Sequence, residues 1–159
     1  MPANINVRVR STAHPAIQTT PAVIVFEKRP RWAPELQRQF LTEDVPVIAC
    51  RSVRDVEERA ASVARGLVLL DASPAPADCL QFLKRGLLDP YVLPVIIVAS
   101  KALAVREWLF RELGAIAFFS GTISGHEMAS LCRKQWALSK AGGVDRSATI
   151  IQEQGTGRP

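Results

Sequence analysis

The chain has 159 residues, a formal net charge of +5, and 48% hydrophobic residues. This length suits one domain with tails, whose core needs no disulfide or metal for stability. Its apolar runs are too short to span a bilayer, and its first twenty residues lack the apolar core of a signal peptide. We therefore expect a cytoplasmic protein without membrane insertion. Cys50, Cys79 and Cys132 show no C-x-x-C spacing, so we expect reduced core thiols.

Five short apolar runs alternate with helical patterns along the chain. The runs cover residues 22–26, 45–50, 67–70, 93–98 and 115–119. They are continuously apolar, which indicates strands buried on both faces of a parallel sheet between helices. Ser52 is a candidate N-cap of the second helix, and Gly66 and Gly114 are stop signals. We predict an α/β fold: a (βα)5 doubly wound three-layer sandwich with a five-stranded parallel sheet in the order 2-1-3-4-5.

The two ends of the chain differ in composition from its middle. We assign residues 21–139 to one domain and residues 140–159, rich in Gly, Ser, Thr and Gln, to a flexible tail. In residues 1–20, Ile5, Val7 and Val9 alternate with polar residues, which would permit a short strand. We predict a flexible arm there instead.

Asp71 ends the third apolar run, at the edge of a parallel sheet where ligands and chemistry collect. Four features of the chain together match the pattern of a known family. They are the run of residues 67–71, the order of the elements, the fourth run at 93–98 and Gly114 before the fifth run. Over about residues 21–139 the chain resembles the receiver domain of two-component response regulators. The resemblance implies that Asp71 corresponds to the phospho-acceptor.

The resemblance also implies four further positions around that acceptor. Receivers carry two acidic residues after the first strand, which hold Mg²⁺, a hydroxyl residue after the fourth strand and a lysine after the fifth. In this chain the acidic pair falls on Glu27 and Lys28, and the hydroxyl position falls on Ala99, with Ser100 one residue later. The lysine position falls on Gly121. Most of the residues that would position and neutralise a phosphoryl group are therefore other types.

The loss of these residue types predicts a module that does not carry out the phosphoryl transfer of the family. Glu27 and Asp71 are the remaining carboxylates for Mg²⁺, and an ammonium at Lys28 would compete with the cation and pair with Asp71. We predict no catalytic residue, no metal and no cofactor. The chain would be a pseudo-receiver that acts by protein–protein interaction and is not an enzyme. The alternative is a single-domain response regulator, phosphorylated on Asp71 with Mg²⁺ and assisted by Glu27 and Ser100.

The segment from Lys28 to Trp32 is a basic loop that carries an aromatic residue. It raises a third hypothesis, an anion-binding or nucleic-acid-binding module in which bases would stack on Trp32. The competing interpretation is a solvated loop with Trp32 packed against the first helix. We do not expect nucleic acid as the partner.

The fourth helix carries large apolar residues outside its expected buried stripe. An α-helical wheel places the stripe that faces the sheet at Val105, Leu109 and Leu113. Leu103, Trp108 and Phe110 then lie off this stripe or at its edge and should be exposed, as in a partner surface. In receivers, the face formed by the fourth helix, fifth strand and fifth helix commonly binds partners. The resemblance thus implies binding of another protein, or of a second copy, at this face.

Overall fold

Continuously apolar strands build the centre of the protein, as the sequence pattern predicts. The computed structural model describes residues 20–90 and 92–141, the last two by their backbone only. The strands are β1 (Ala22–Phe26), β2 (Val47–Cys50), β3 (Gly66–Asp71), β4 (Val95–Ala99) and β5 (Ala117–Ser120). All pairings are parallel, and the order is β2-β1-β3-β4-β5. The predicted fold class and strand order are confirmed.

Helices cover both faces of this sheet. They are α1 (Trp32–Gln39), α2 (Val53–Ala61), α3 (Pro76–Gly86), a 3-10 helix (Lys101–Arg106), α4 (Glu107–Glu112) and α5 (Gly125–Ala141). Ser52 caps α2 as expected, because its hydroxyl accepts a hydrogen bond of 3.1 Å from the backbone N–H of Asp55. The predicted arm at 1–20 and tail at 140–159 lie outside the described residues, except for Thr20 and the end of α5.

Two apolar layers flank the sheet because successive side chains of a strand point to opposite faces. On one face Val23, Val25 and Leu69 pack with α1 and α5. On the other, Ile24 and Leu70 pack with α2, α3 and α4. The three cysteines are free and buried within these layers, which confirms the expected core thiols. None of the helices described is both long enough and apolar enough to cross a membrane.

The expected exposure of Phe110 is wrong. Phe110 is 0% exposed and packs against the ring of Phe118 with 5.3 Å between centroids, whereas Val105, expected to face the sheet, is 78% exposed. The cause is the 3-10 helix, which precedes α4 where the wheel assumed α-helix throughout. A 3-10 helix turns about 20° more per residue, so six residues rotate the helix surface by about 120°.

Substitution of two aromatic residues of α4 should therefore change the free energy of unfolding by very different amounts. Phe110→Ala should lower the free energy of unfolding by about 3–5 kcal/mol, because it empties a fully buried site. Trp108→Ala, at a residue 65% exposed, should change it by about 0.5 kcal/mol or less. Urea unfolding followed by circular dichroism measures both. Equal losses in the two variants would contradict this packing.

Candidate functional site

The carboxyl ends of the central strands bring most of the predicted site residues to one edge. Phe26 pairs with Leu70, so Glu27 and Asp71 follow on adjacent strands. Ala99 ends β4 opposite Ser120 of β5, which immediately precedes Gly121. The parallel register thus gathers the ends of β1, β3, β4 and β5, as the sequence predicts.

Glu27 is fully buried, and its carboxylate points at the start of α1. Oε2 accepts hydrogen bonds from the backbone N–H groups of Arg31 and Trp32, at 3.0 and 2.7 Å, and Oε1 accepts one from Ala33 at 3.3 Å. No side-chain cap comes from Arg31, the residue just before α1. Glu27 therefore acts as an N-cap from outside the helix, where a negative charge also favours the helix dipole.

Arg51 supports this buried carboxylate from the loop after β2. Its Nη1 donates a hydrogen bond of 2.9 Å to the backbone carbonyl oxygen of Glu27 and lies 3.8 Å from Oε1. The Arg51 side chain is about half exposed, at 48%. Glu27 thus has both hydrogen-bond donors and a cation, which a buried carboxylate needs to offset its desolvation.

Lys28 does not form the expected ion pair with Asp71. Its Nζ donates a hydrogen bond of 2.9 Å to the carbonyl oxygen of Arg51 and lies 5.4 Å from the centroid of the Phe26 ring. Among the described residues, no ion pair within 4 Å involves Lys28. The position of Lys28 in the sequence correctly predicts the edge of the sheet at which it lies. It does not reveal that the lysine donates to the backbone carbonyl oxygen of Arg51, after β2, and this is why the expectation failed.

Asp71 is half-buried and bound to its own loop. Its Oδ1 accepts a hydrogen bond of 3.1 Å from the backbone N–H of Ser73. The Ser73 hydroxyl oxygen in turn accepts one of 2.9 Å from the backbone N–H of Ser100. This chain of contacts connects the loop after β3 to the loop after β4. Ser100 therefore contacts the loop after β3 through its backbone N–H group.

Cys79 is a buried thiol close to the same loop. Its Sγ is 3.9 Å from the backbone carbonyl oxygen of Asp71. Burial raises the pKa of the Cys79 thiol to about 12, the charges of Asp71 and Asp78 act in the same direction, and Lys28 partly opposes them. Lys28 and Asp71 are thus both close enough to act on one buried group.

Gly121 occupies the position where the resemblance implies a lysine. Its φ of +132° is a backbone conformation that residues with a side chain rarely adopt. A Cβ built there would lie 3.8 Å from Cε of Lys101. The stem of Lys101, a residue that sequence reasoning left out, therefore runs beside the glycine. The signal was its place directly after Ser100, at the end of the fourth strand.

A magnesium ion at this edge would meet two carboxylates that already accept hydrogen bonds from the backbone. Both oxygens of Glu27 are engaged by backbone amides of α1, and one oxygen of Asp71 is engaged by Ser73. Magnesium requires free oxygen ligands in octahedral geometry. Within residues 20–90 and 92–141, no group of three or more His, Cys, Asp or Glu side chains could hold a metal ion.

The predicted partner surface is only partly exposed. Trp108 is exposed as expected, Leu103 is partly buried against the core, and Phe110 belongs to the core. Val105, which sequence reasoning placed inside, joins Trp108 on the outside. Trp32 is 4% exposed and packs with α1 and α5, so it cannot offer a face to a stacked base.

Known structures share this architecture. The chain is similar to the receiver domain of the TMAO respiratory system response regulator TorR, with TM-score 0.62 and 19% identity over 76% of this chain and 98% of that one. An atypical orphan response regulator, described as having a phosphorylation-independent regulatory mechanism, matches with TM-score 0.61 and 15% identity over 73% and 95%. The beryllofluoride-activated NtrC4 receiver domain dimer matches with TM-score 0.63 and 14% identity over 74% and 97%. No protein-family model matches this chain, and no curated protein matches its sequence. The chain has the fold of response-regulator receiver domains.

Removal of the Glu27 carboxylate should destabilise the protein strongly. Glu27→Ala leaves three backbone amides without their acceptor and Arg51 without its counterion, so we expect a loss of about 2 kcal/mol or more in the free energy of unfolding. Glu58→Ala, which removes a surface partner of Arg54, should cost about 0.5 kcal/mol or less. Urea unfolding of both variants tests this, and a Glu27→Ala protein as stable as Glu58→Ala would contradict it.

Proposed function

We propose that the chain is a degenerate receiver-fold module that regulates by binding another protein, without Mg²⁺-dependent phosphorylation of Asp71. One observation carries the proposal: the Glu27 carboxylate is buried and bound to the first backbone amides of α1. A metal would compete with those hydrogen bonds for the buried carboxylate, and moving the carboxylate toward a metal would break them. Each buried amide then left without an acceptor costs about 1–3 kcal/mol.

The other residues around Asp71 support the same proposal. Phosphoryl transfer depends on groups that neutralise the spreading negative charge. The amine of Lys28 is directed to the carbonyl oxygen of Arg51, and Gly121 itself offers no side chain, although the stem of Lys101 runs beside it. Asp71 itself already accepts a hydrogen bond from Ser73. We therefore infer a signalling role that needs neither cofactor nor catalysis, in the cytoplasm.

The receiver fold is compatible with such a role. One similar structure is an orphan regulator described as phosphorylation-independent, although its identity to this chain is only 15%. Another is a dimer of receiver domains. The acidic pair of this receiver fold is incomplete. The two similar structures support the interpretation that such a fold regulates through contacts with proteins.

We place the contact surface on the 3-10 helix and α4. Val105 and Trp108, three residues apart, are 78% and 65% exposed. Leu103 borders them and packs against the core. An exposed tryptophan beside a branched apolar residue is typical of the centre of a protein interface. The occupant is another protein or a second copy, at one side of the face that the resemblance implies.

Phosphodonors test the proposed loss of phosphorylation. After incubation with acetyl phosphate and Mg²⁺, intact-mass measurement should show no phosphorylated species, because the ligands for the metal are engaged elsewhere. Asp71→Asn is the negative control, and a conventional receiver treated in parallel is the positive control. A phosphoryl adduct that appears in the wild type and disappears in Asp71→Asn would contradict the proposal and favour a phosphorylatable regulator.

Light scattering tests the contact surface, with a second copy as the occupant. Trp108→Glu should reduce the assembly mass to that of a monomer, because it places a charge at the centre of the apolar surface. Leu88→Glu makes the same kind of change at a residue 91% exposed in the connection between α3 and β4, and should leave the mass unchanged. A monomeric wild type at high concentration would exclude the second copy as the occupant.

A further inference from the structure

Several cations of this protein contact a glutamate, and others have no carboxylate neighbour. Five arginines on helices are of the first kind: Arg38 with Glu35, Arg54 with Glu58, Arg85 with Glu57, Arg111 with Glu107 and Arg133 with Glu43. The loop between β1 and α1 gathers three cations of the second kind within four residues. Lys28, Arg29 and Arg31 are exposed, and none of them takes part in an ion pair within 4 Å in the described part of the chain.

The acid nearest to these three cations is unable to neutralise them. Glu27 precedes them directly, but its carboxylate is buried and directed at the amides of α1. Arg51, half-exposed beside it, is the cation that balances Glu27, so it lies at the same end of the sheet without adding to the net charge there. We call Lys28, Arg29, Arg31 and Arg51 the basic edge.

Three of these four side chains are held in place by the fold. Lys28 donates to the carbonyl oxygen of Arg51 at 2.9 Å, and Arg51 donates to that of Glu27 at 2.9 Å. The guanidinium of Arg31 lies 5.1 Å from the centroid of the Trp32 ring. Side chains ordered before binding lose less entropy when a ligand arrives, which favours a binding surface over a merely solvated loop.

We propose that the basic edge binds an acidic peptide segment of a partner protein. The charge complementarity is direct, since exposed cations without carboxylate neighbours attract carboxylates and exclude basic partners. This contact is separate from the apolar surface at Val105 and Trp108, which lies on the 3-10 helix and α4. A partner can therefore be recognised here whether or not it also reaches that surface.

A peptide suits this edge better than a nucleic acid. Trp32 is buried, so the loop gives no aromatic platform for bases. Asp71 ends β3 beside the end of β1 and so lies in the same region. Its carboxylate repels phosphates and peptide carboxylates alike, but beyond the hydrogen bond from Ser73 it can accept N–H groups of an extended peptide backbone, which a nucleic-acid backbone lacks.

Fluorescence anisotropy of the full chain with a labelled peptide of alternating Glu and Gly tests the proposal. The wild type should bind, and its affinity should fall as salt rises. The triple variant Lys28→Glu, Arg29→Glu, Arg31→Glu should weaken binding by about tenfold or more, because each exposed contact contributes a modest share. The milder double variant Lys28→Gln, Arg29→Gln should weaken it several-fold, and circular dichroism checks that both variants are folded.

A matched control separates the basic edge from net charge. Arg59→Glu, Lys84→Glu, Lys134→Glu changes the charge by the same amount at exposed residues elsewhere and should leave the affinity within about twofold. An equal loss in this control would overturn the proposal, as would absence of binding to the peptide. Tighter binding of a single-stranded oligothymidylate at the same ionic strength would overturn it in favour of a nucleic-acid site.

Discussion

The buried carboxylate of Glu27 is the interaction on which this edge of the protein depends. It joins the end of β1 to the beginning of α1 through three backbone amides, and Arg51 connects the same residue to the loop after β2. A buried charge is tolerated only when its hydrogen-bonding capacity is satisfied, so these contacts are required together. The carboxylate at the start of α1 is thereby directed away from solvent, and it does not neutralise the exposed cations that follow it in the chain.

Around this anchor the remaining contacts hold the edge in one arrangement. Asp71 is tied to Ser73, Ser73 is tied to Ser100, and Lys28 is tied to the carbonyl oxygen of Arg51. Each contact uses a backbone group, so the loops restrain one another without a ligand. An edge ordered in this way is better suited to present a constant surface to a partner than to reorganise around a phosphoryl group. This is the physical reason to look for function in binding surfaces.

The sequence predicted the architecture well and the side-chain contacts less well. Continuous apolar runs indicated a parallel sheet, and the short crossovers allowed few strand orders. The same pattern located Asp71, Ala99 and Gly121 at one edge. The apolar pattern misplaced Phe110, because periodicity cannot distinguish a 3-10 turn from an α-turn. The difference changes the direction in which every later side chain of the helix points. The expected pair between Lys28 and Asp71 failed for another reason, because a flexible side chain at a strand end has several acceptors within reach.

What the sequence alone determined is the set of residue types at the edge: one acid and one lysine directly after β1, Ala99 at the end of β4, and a glycine in place of a lysine directly after β5. These identities follow from spacing, since strand ends in a parallel sheet meet at one side. What only the tertiary structure decided is where the charges point. The Glu27 side chain points inward because the amides at the start of α1 need an acceptor. The Lys28 side chain points toward the loop after β2 because the carbonyl oxygen of Arg51 accepts its hydrogen bond. Such choices depend on atoms brought together from distant parts of the chain, which no local pattern contains.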